Sequence, residues 1–503
     1  MAVTNKKANK KANIKANKKA ATLMLAGAMA SASAASLAAE PAPSAVKTPI
    51  KHLVVLVLQD QSFDRYFGAY PNAKNAAGDT QFHAKANTPH VDGFTSYLLQ
   101  HNPNLSNPYR MAPHESTCDL GYGVYAQKHS YNDGRNNMFI WKDYDTSSGI
   151  NDDGCFPQSV MGYYDGNAVT GLWNYAQHYA MADHLFASDY TTQAGGMIDL
   201  IAGTSKGVLP KKSPGVSFQD LLIQNNPPKF DDASQGRFKV SMQRQNIGDL
   251  LNQHNVTWGY FSGGFTPSAR TKQGKAQFHA RSMNSQGSLV SDYNPINEPF
   301  QYFATTANPH HLLPSAPDMI GQSDRAHHQY DLADFAAVLK AGRLPAVSII
   351  APKSGQSGRV GVSSPDDEQT FIVKTVNKIM QSPEWKSTAV ALVWSYSDGW
   401  YDHVTPPSAP TSMAGTGYGP RLPFLMISPW SKRNYVEHKN LDQSSLLKFI
   451  EYNWQLGHLA SDSPDRFAHS LRSMFNFQQS PHVLPLLLNP QNGAVNKSSH
   501  IRS

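Results

Sequence analysis

The sequence predicts an α/β domain with a mainly parallel central sheet and helices on both faces. Three observations predict it. Two apolar, β-branched runs, HLVVLVL from His52 and AVALVW from Ala389, have the unbroken hydrophobicity of strands buried on both sides. Both break at once into polar residues, as strands do where an open α/β sheet presents its ligand-binding carboxyl ends. Between and after them, helix-length amphipathic segments alternate with further short apolar runs.

The elements follow in order. Residues 50 to about 70 read as a strand entering a short helix. Residues 71–170, rich in Asn, Gly, Asp and Tyr, read as long loops over one face of the sheet. Leu172 to Phe186 reads as a helix, followed by the turn SDYTTQAGGMIDLIAG. Residues 205–300, interrupted by Pro, Gly and Gln, read as an insertion or cap. Leu332 to Lys340 is expected to be a helix, VSIIAP a buried strand, and Glu368 to Met380 a helix leading into AVALVW. PFLMISP is a further strand and Ser444 to Trp454 a further helix. There are no internal repeats.

The ends of the chain read differently. Seven lysines and no acid fill the first twenty residues, and an apolar, alanine-rich stretch runs from Ala20 to about Ala39. A basic start, an apolar middle and small residues near Ala38 and Ala39 make residues 1–39 a secretory signal peptide. The alternative, a basic tail for nucleic acid, does not account for the apolar stretch. The expected location is the periplasm or the exterior of a bacterial cell. The domain proper then spans 40–490, with a tail at 491–503.

Without the seven leader lysines, 37 of the 44 basic residues remain against 37 acidic ones. The folded part is therefore close to neutral, which argues against nucleic acid as a partner. Beyond the leader no stretch reaches the roughly 18 apolar residues that cross a bilayer, so no integral membrane segment is expected after cleavage. Cys118 and Cys155 lie 37 residues apart in a loop-rich region. In an exported chain one disulfide is the natural expectation; a metal site is not, for want of CxxC or paired-histidine spacing.

Nine segments carry a specific resemblance. They are IKHLVVLVLQDQSFDRYFGAYP from Ile50, GLWNYAQHYAMADHLFAS from Gly171, TANPHHLLPS from Thr306, HHQYDLADF from His327 and LPAVSIIAPKSGQSG from Leu344. SPDDEQTF from Ser364, SDGWYDHVTPP from Ser397, GYGPRLPFLMISPWSKRNYVEH from Gly417 and LDQSSLLKFIEYNW from Leu441 complete the series. In this order they resemble a bacterial phosphoesterase family of the acid phosphatase and phospholipase C type. The resemblance implies an alkaline-phosphatase-like core with long loop and cap insertions, acting on phosphate esters such as phospholipids. It also implies a divalent cation held mainly by carboxylates, a Ser or Thr nucleophile, and His, Asn or Lys donors for the transition state.

The implied site is substituted at most of its positions. Gln59 stands where the resemblance implies a metal-binding Glu, and Asp60 where it implies Asn. Ser395 and Tyr396 stand where it implies two acids. One carboxylate of three is kept, a weak cradle for a divalent cation; Asp398, Asp402 and His403 are the nearby groups able to compensate. Gln193 falls at the nucleophile position, and Gln has no oxygen suited to attack phosphorus. Thr191 and Thr192 supply a hydroxyl only if the turn slips; otherwise they are ordinary turn threonines. Arg359 and Tyr122 replace two phosphate-binding histidines, while His310 and His311 are kept at positions that approach substrate. The implied function is an exported phosphoesterase-family protein whose activity is lost or strongly altered, a binding or partner protein holding no cofactor. The alternative is an active metal-dependent hydrolase with a phosphate ester or phospholipid as substrate. A third reading is an altered hydrolase built on Asp60, Thr191 or Thr192, Arg359 and His403.

Overall fold

A computed structural model describes residues 46–115, 123–140, 156–210, 225–236, 238–408 and 418–496. The expected signal peptide, Cys118, Cys155 and Tyr122 lie outside the described residues. Eight strands form one sheet: β1 (His52–Leu58), β2 (Ala180–Ala182), β3 (Trp258–Ser262), β4 (Gln329–Asp331), β5 (Val347–Ala351), β6 (Thr388–Trp394), β7 (Phe424–Ile427) and β8 (Tyr435–Glu437). Their order across the sheet is β4-β3-β5-β1-β6-β7-β2-β8. β7 runs antiparallel to both of its neighbours, and every other adjacent pair is parallel.

The central strand shows why the sheet is covered twice. Along β1 the side chains alternate: Leu53, Val55 and Val57 enter one core, and Val54, Leu56 and Leu58 the other. The first core is closed by α3 (Gln193–Ala202), α4 (Ile247–Gln253) and α7 (Ser444–Trp454). The second is closed by α1 (Phe63–Phe67), α2 (Thr170–His178), α5 (Leu332–Lys340) and α6 (Pro365–Met380). Each fully buried Val or Leu in β1 contributes about 1.5–3 kcal/mol. A charge on either face of this strand therefore has no solvated alternative.

Three expectations are corrected. The segment 172–186 is not one helix: α2 ends at His178, and Ala180–Ala182 is a strand pairing with β7 and β8. Sheet pairing at a buried position outweighs the helix preference of Ala-Met-Ala. The stretch SDYTTQAGGMIDLIAG is not all turn, because Gln193–Ala202 is helical despite its two glycines. Residues 205–300 do not form only a cap, because they supply β3, which lies inside the sheet between β4 and β5.

Candidate functional site

Four strands end at one place. β1 runs into Gln59 and Asp60, β6 into Ser395 and Tyr396, β5 into the loop that carries Ser357 to Val360, and β3 ends at Ser262. The junctions are tied by backbone: Ser395 N–H donates to the Leu58 carbonyl at 2.9 Å, and Gln59 N–H to the Ser357 carbonyl at 3.0 Å. Asp60 turns the chain with φ +61°, a left-handed conformation that Asp tolerates better than most residues.

The amino end of α3 closes the site from the first core's side. Its two glycines explain how near it comes. A Cβ at Gly196 would overlap the Ser395 carbonyl oxygen, and one at Gly195 would overlap the Thr191 hydroxyl. The helix therefore seats its first turn directly on the end of β6. Gln443 holds the same junction from α7, its amide donating to the Ser395 carbonyl at 2.8 Å.

The side chains at the centre are neutral amides. Gln59 Nε2 donates to Asn297 Oδ1 at 2.7 Å, Gln193 Nε2 donates to the same oxygen, and Gln193 Nε2 also lies 3.3 Å from Gln59 Oε1. All three residues are buried. Asn297 is fixed in turn by Tyr260, whose hydroxyl donates to its carbonyl. Beside it Ser262 donates to Glu298, a carboxyl pushed well up by burial.

Asp60 is the charged member. Its Oδ2 accepts the Val360 N–H at 3.0 Å, and the Tyr396 hydroxyl bonds the same carboxylate. Burial and the Asp60 charge push the Tyr396 hydroxyl well up, so it acts as a neutral donor. Arg359 and Asp398 both act electrostatically on Tyr396. Behind Asp60, Glu368 accepts from the Tyr66 hydroxyl at 2.5 Å and from Trp394 Nε1 at 2.8 Å. Burial, reinforced by the Asp60 charge, raises its carboxyl to about 8.

This donor set does not fit a divalent cation. Such an ion takes several oxygen ligands with carboxylate charge among them. Here two positions present amide nitrogen to a shared asparagine, and the one carboxylate is already bonded to a backbone N–H and a phenol. Thr191 and Thr192 are buried in the turn before α3; the Thr191 carbonyl accepts from Gln127 at 3.0 Å.

The remaining expected residues lie in other clusters. Asp402 and His403 gather with Asp64, where three metal-type donor atoms stand within 4.8 Å of one another. That place holds a cation of the protein's own: Arg421 donates to Asp64 at 2.8 Å and to Asp402 at 2.9 Å, all three being fully buried. His403 Nδ1 sits 2.7 Å from Asp64, and its second nitrogen 3.2 Å from Asp92. Burial alone would lower His403, but Asp64 more than reverses this and carries it up to about 10. His311 is buried between Asp231, at 3.1 Å, and the Phe265 carbonyl, at 3.0 Å. His310 is mostly exposed beside Asp232.

Sequence reasoning missed Asn297 and Glu368. Asn297 lies in a loop with no periodic signal. Glu368 was detectable: it precedes Phe371 and Ile372 by three and four residues, on the buried face of α6.

Comparison with known proteins adds the following. Residues 50–457 match the model of the Phosphoesterase family. Phospholipase C A of Mycobacterium tuberculosis is 23% identical over 482 residues, covering 90% of this chain and 82% of that protein. Non-hemolytic phospholipase C of Burkholderia pseudomallei is 35% identical over 137 residues, covering 22% of this chain and 19% of that one. Among solved structures, an alkaline phosphatase superfamily protein from Vibrio parahaemolyticus aligns with TM-score 0.28 and 12% identity, covering 57% of this chain and 60% of the other.

Proposed function

This chain belongs to the Phosphoesterase family, and we propose that it is an exported member in which phosphate-ester hydrolysis has been lost or strongly altered. The observation that carries the reading is the shared bond of Gln59 and Gln193 to Asn297. Catalysis of the family's kind needs a hydroxyl aimed at phosphorus and a concentration of positive charge to stabilise the transferring group. An amide at the nucleophile position, locked to a second amide at a ligand position, supplies neither. The helix start and Arg359 still carry hydrogen-bond donors, so recognition of a phosphate ester or phospholipid head group outlives its hydrolysis in this reading. The phospholipase C relatives support that ligand class, and the lysine-rich leader supports export.

The test is turnover of a chromogenic phosphate monoester and diester by purified protein, from acid to alkaline pH, with Mg, Mn, Ca or Zn added. The expected result is no release above that of a Gln193→Ala control. Thr191 and Thr192, next to Gln193 at the start of α3, favour a second reading, an active hydrolase acting through one of these hydroxyls. Metal-stimulated turnover abolished by Thr191→Ala or Thr192→Ala would establish that reading and overturn the first.

A further inference from the structure

Glu451, on the last turn of α7, is buried, and the chain returns to it twice. Gln455 and Gly457 both have positive φ, 58° and 83°, and so reverse the backbone just after the helix. The reversal brings His458 back over the helix end and bonds the Leu459 N–H to Glu451 Oε1 at 3.2 Å. A short turn, Pro464–Arg466, then brings in Asp465, which is fully buried. His458 Nδ1 stands 3.0 Å from Glu451 Oε2 and 3.0 Å from Asp465 Oδ2.

We propose that Glu451, His458 and Asp465 form a binding site for a divalent transition cation of the zinc class, separate from the strand-end site. Their ligand atoms all lie within 4.8 Å of one another. Zinc bonds imidazole nitrogen and carboxylate oxygen at about 2.0–2.2 Å, so tetrahedral ligands stand roughly 3.4 Å apart. His458 Nδ1 needs to draw back from each of the two carboxyl oxygens by only a few tenths of an ångström to receive the ion.

A second observation points the same way. The other oxygen of Asp465, Oδ1, is buried with no hydrogen-bond partner. A buried carboxylate oxygen left without a partner is costly unless something positive meets it. His458 itself is 41% exposed, which gives an ion a way in while the two acids stay shielded. The carboxyl end of a helix also carries partial negative charge, which favours a cation near Glu451. Lys448, three residues before Glu451 on α7, is committed to the carbonyls of Arg466 and Ala468.

The site would clamp α7 to the loop that follows it. Gln443, at the other end of that helix, holds the Ser395 carbonyl. Eight residues at 1.5 Å each put the two about 12 Å apart.

The test uses the whole exported protein, stripped with a chelator and titrated with zinc, beside His458→Ala and Asp465→Asn. The wild type is expected to bind one more equivalent than His458→Ala and to gain melting temperature on zinc addition. Asp465→Asn is expected to bind at least about tenfold more weakly. Cobalt(II) in place of zinc should give a visible absorption band in the wild type that is missing from His458→Ala. Equal zinc stoichiometry in wild type and His458→Ala overturns the proposal and leaves His458 as a hydrogen-bond partner of the two acids. Should His458→Ala fail to fold, unchanged zinc affinity in Asp465→Asn overturns it equally. None of these readouts involves ester hydrolysis, so they stand or fall apart from the function of the strand-end site.

Discussion

Asn297 decides the chemistry of the strand ends at the level of a single residue. Its side-chain oxygen takes an N–H from Gln59 and another from Gln193, which commits both amides as donors to one acceptor. Remove that oxygen and Gln193 keeps a long bond to Gln59, but the Gln59 amide is left buried without its acceptor. An orphaned buried donor costs about 1–3 kcal/mol. Asn297→Ala should therefore lower unfolding free energy by that amount, read as a shift in denaturant midpoint at constant slope. A variant as stable as the wild type would mean that water or a neighbour satisfies Gln59, and that the amide network is not what shapes the site.

At the level of elements, the approach of α3 to β6 is the feature on which site geometry depends. Gly196 faces a backbone carbonyl, which cannot move without disturbing the strand; Gly195 faces a threonine hydroxyl, which can rotate. Both substitutions raise helix propensity, so propensity alone predicts that both stabilise. Packing predicts otherwise. Gly196→Ala should destabilise by about 1–3 kcal/mol, and Gly195→Ala by clearly less, in chemical denaturation. If the two behaved alike, the helix would not sit where it is drawn. The same contact explains what was legible in the sequence. β1, β6, α5, α6 and α7 were readable because two-faced apolar runs and a 3.6-residue period are local signals. Gln59, Asp60, Ser395 and Tyr396 could be placed because each directly follows such a strand. α3 was concealed by its two glycines, of which Gly196 serves a contact about 200 residues away in sequence. β2 was concealed because Ala-Met-Ala becomes a strand only through β7 and β8. β3 sits in a stretch whose Pro and Gly content suggests loops, and Asn297 meets its partners only through tertiary structure.

At the scale of the whole molecule, raised carboxyls and histidines outnumber lowered ones among the described residues, and this sets the response to pH. Burial raises Glu368 to about 8 and Asp442 to about 6, and pushes Asp199 well up. An acid with a raised folded pKa keeps its proton while the unfolded chain has released it. Its share of stability is present below the ordinary carboxyl value and is lost as pH climbs to the folded one. His184, hydrogen-bonded to Asp183 and Asp92, rises to about 9, and His403 to about 10. Their stabilisation is complete below the ordinary histidine value and is likewise lost as pH climbs. Opposing them are His328, lowered by burial to about 4, and the lowered carboxylates of Asp92 and Asp183. These remove stability as the solution becomes acid, His328 from about pH 6.5 downward and the two acids below about pH 4. Between about pH 5 and 9 the raised groups outnumber the lowered ones, each contributing up to about 1.4 kcal/mol per pH unit within its window. Melting temperature should therefore be highest near pH 5 and fall steadily to pH 9. Glu368→Gln keeps an oxygen to accept from Trp394, leaves the Tyr66 hydroxyl to turn and accept from its amide, and has no proton to lose, so its curve should be flatter than the wild type between about pH 4.5 and 8 and run parallel to it above. A wild-type maximum at alkaline pH, or parallel curves throughout, would show that these buried groups are ionised in the folded protein and matched by charge from elsewhere.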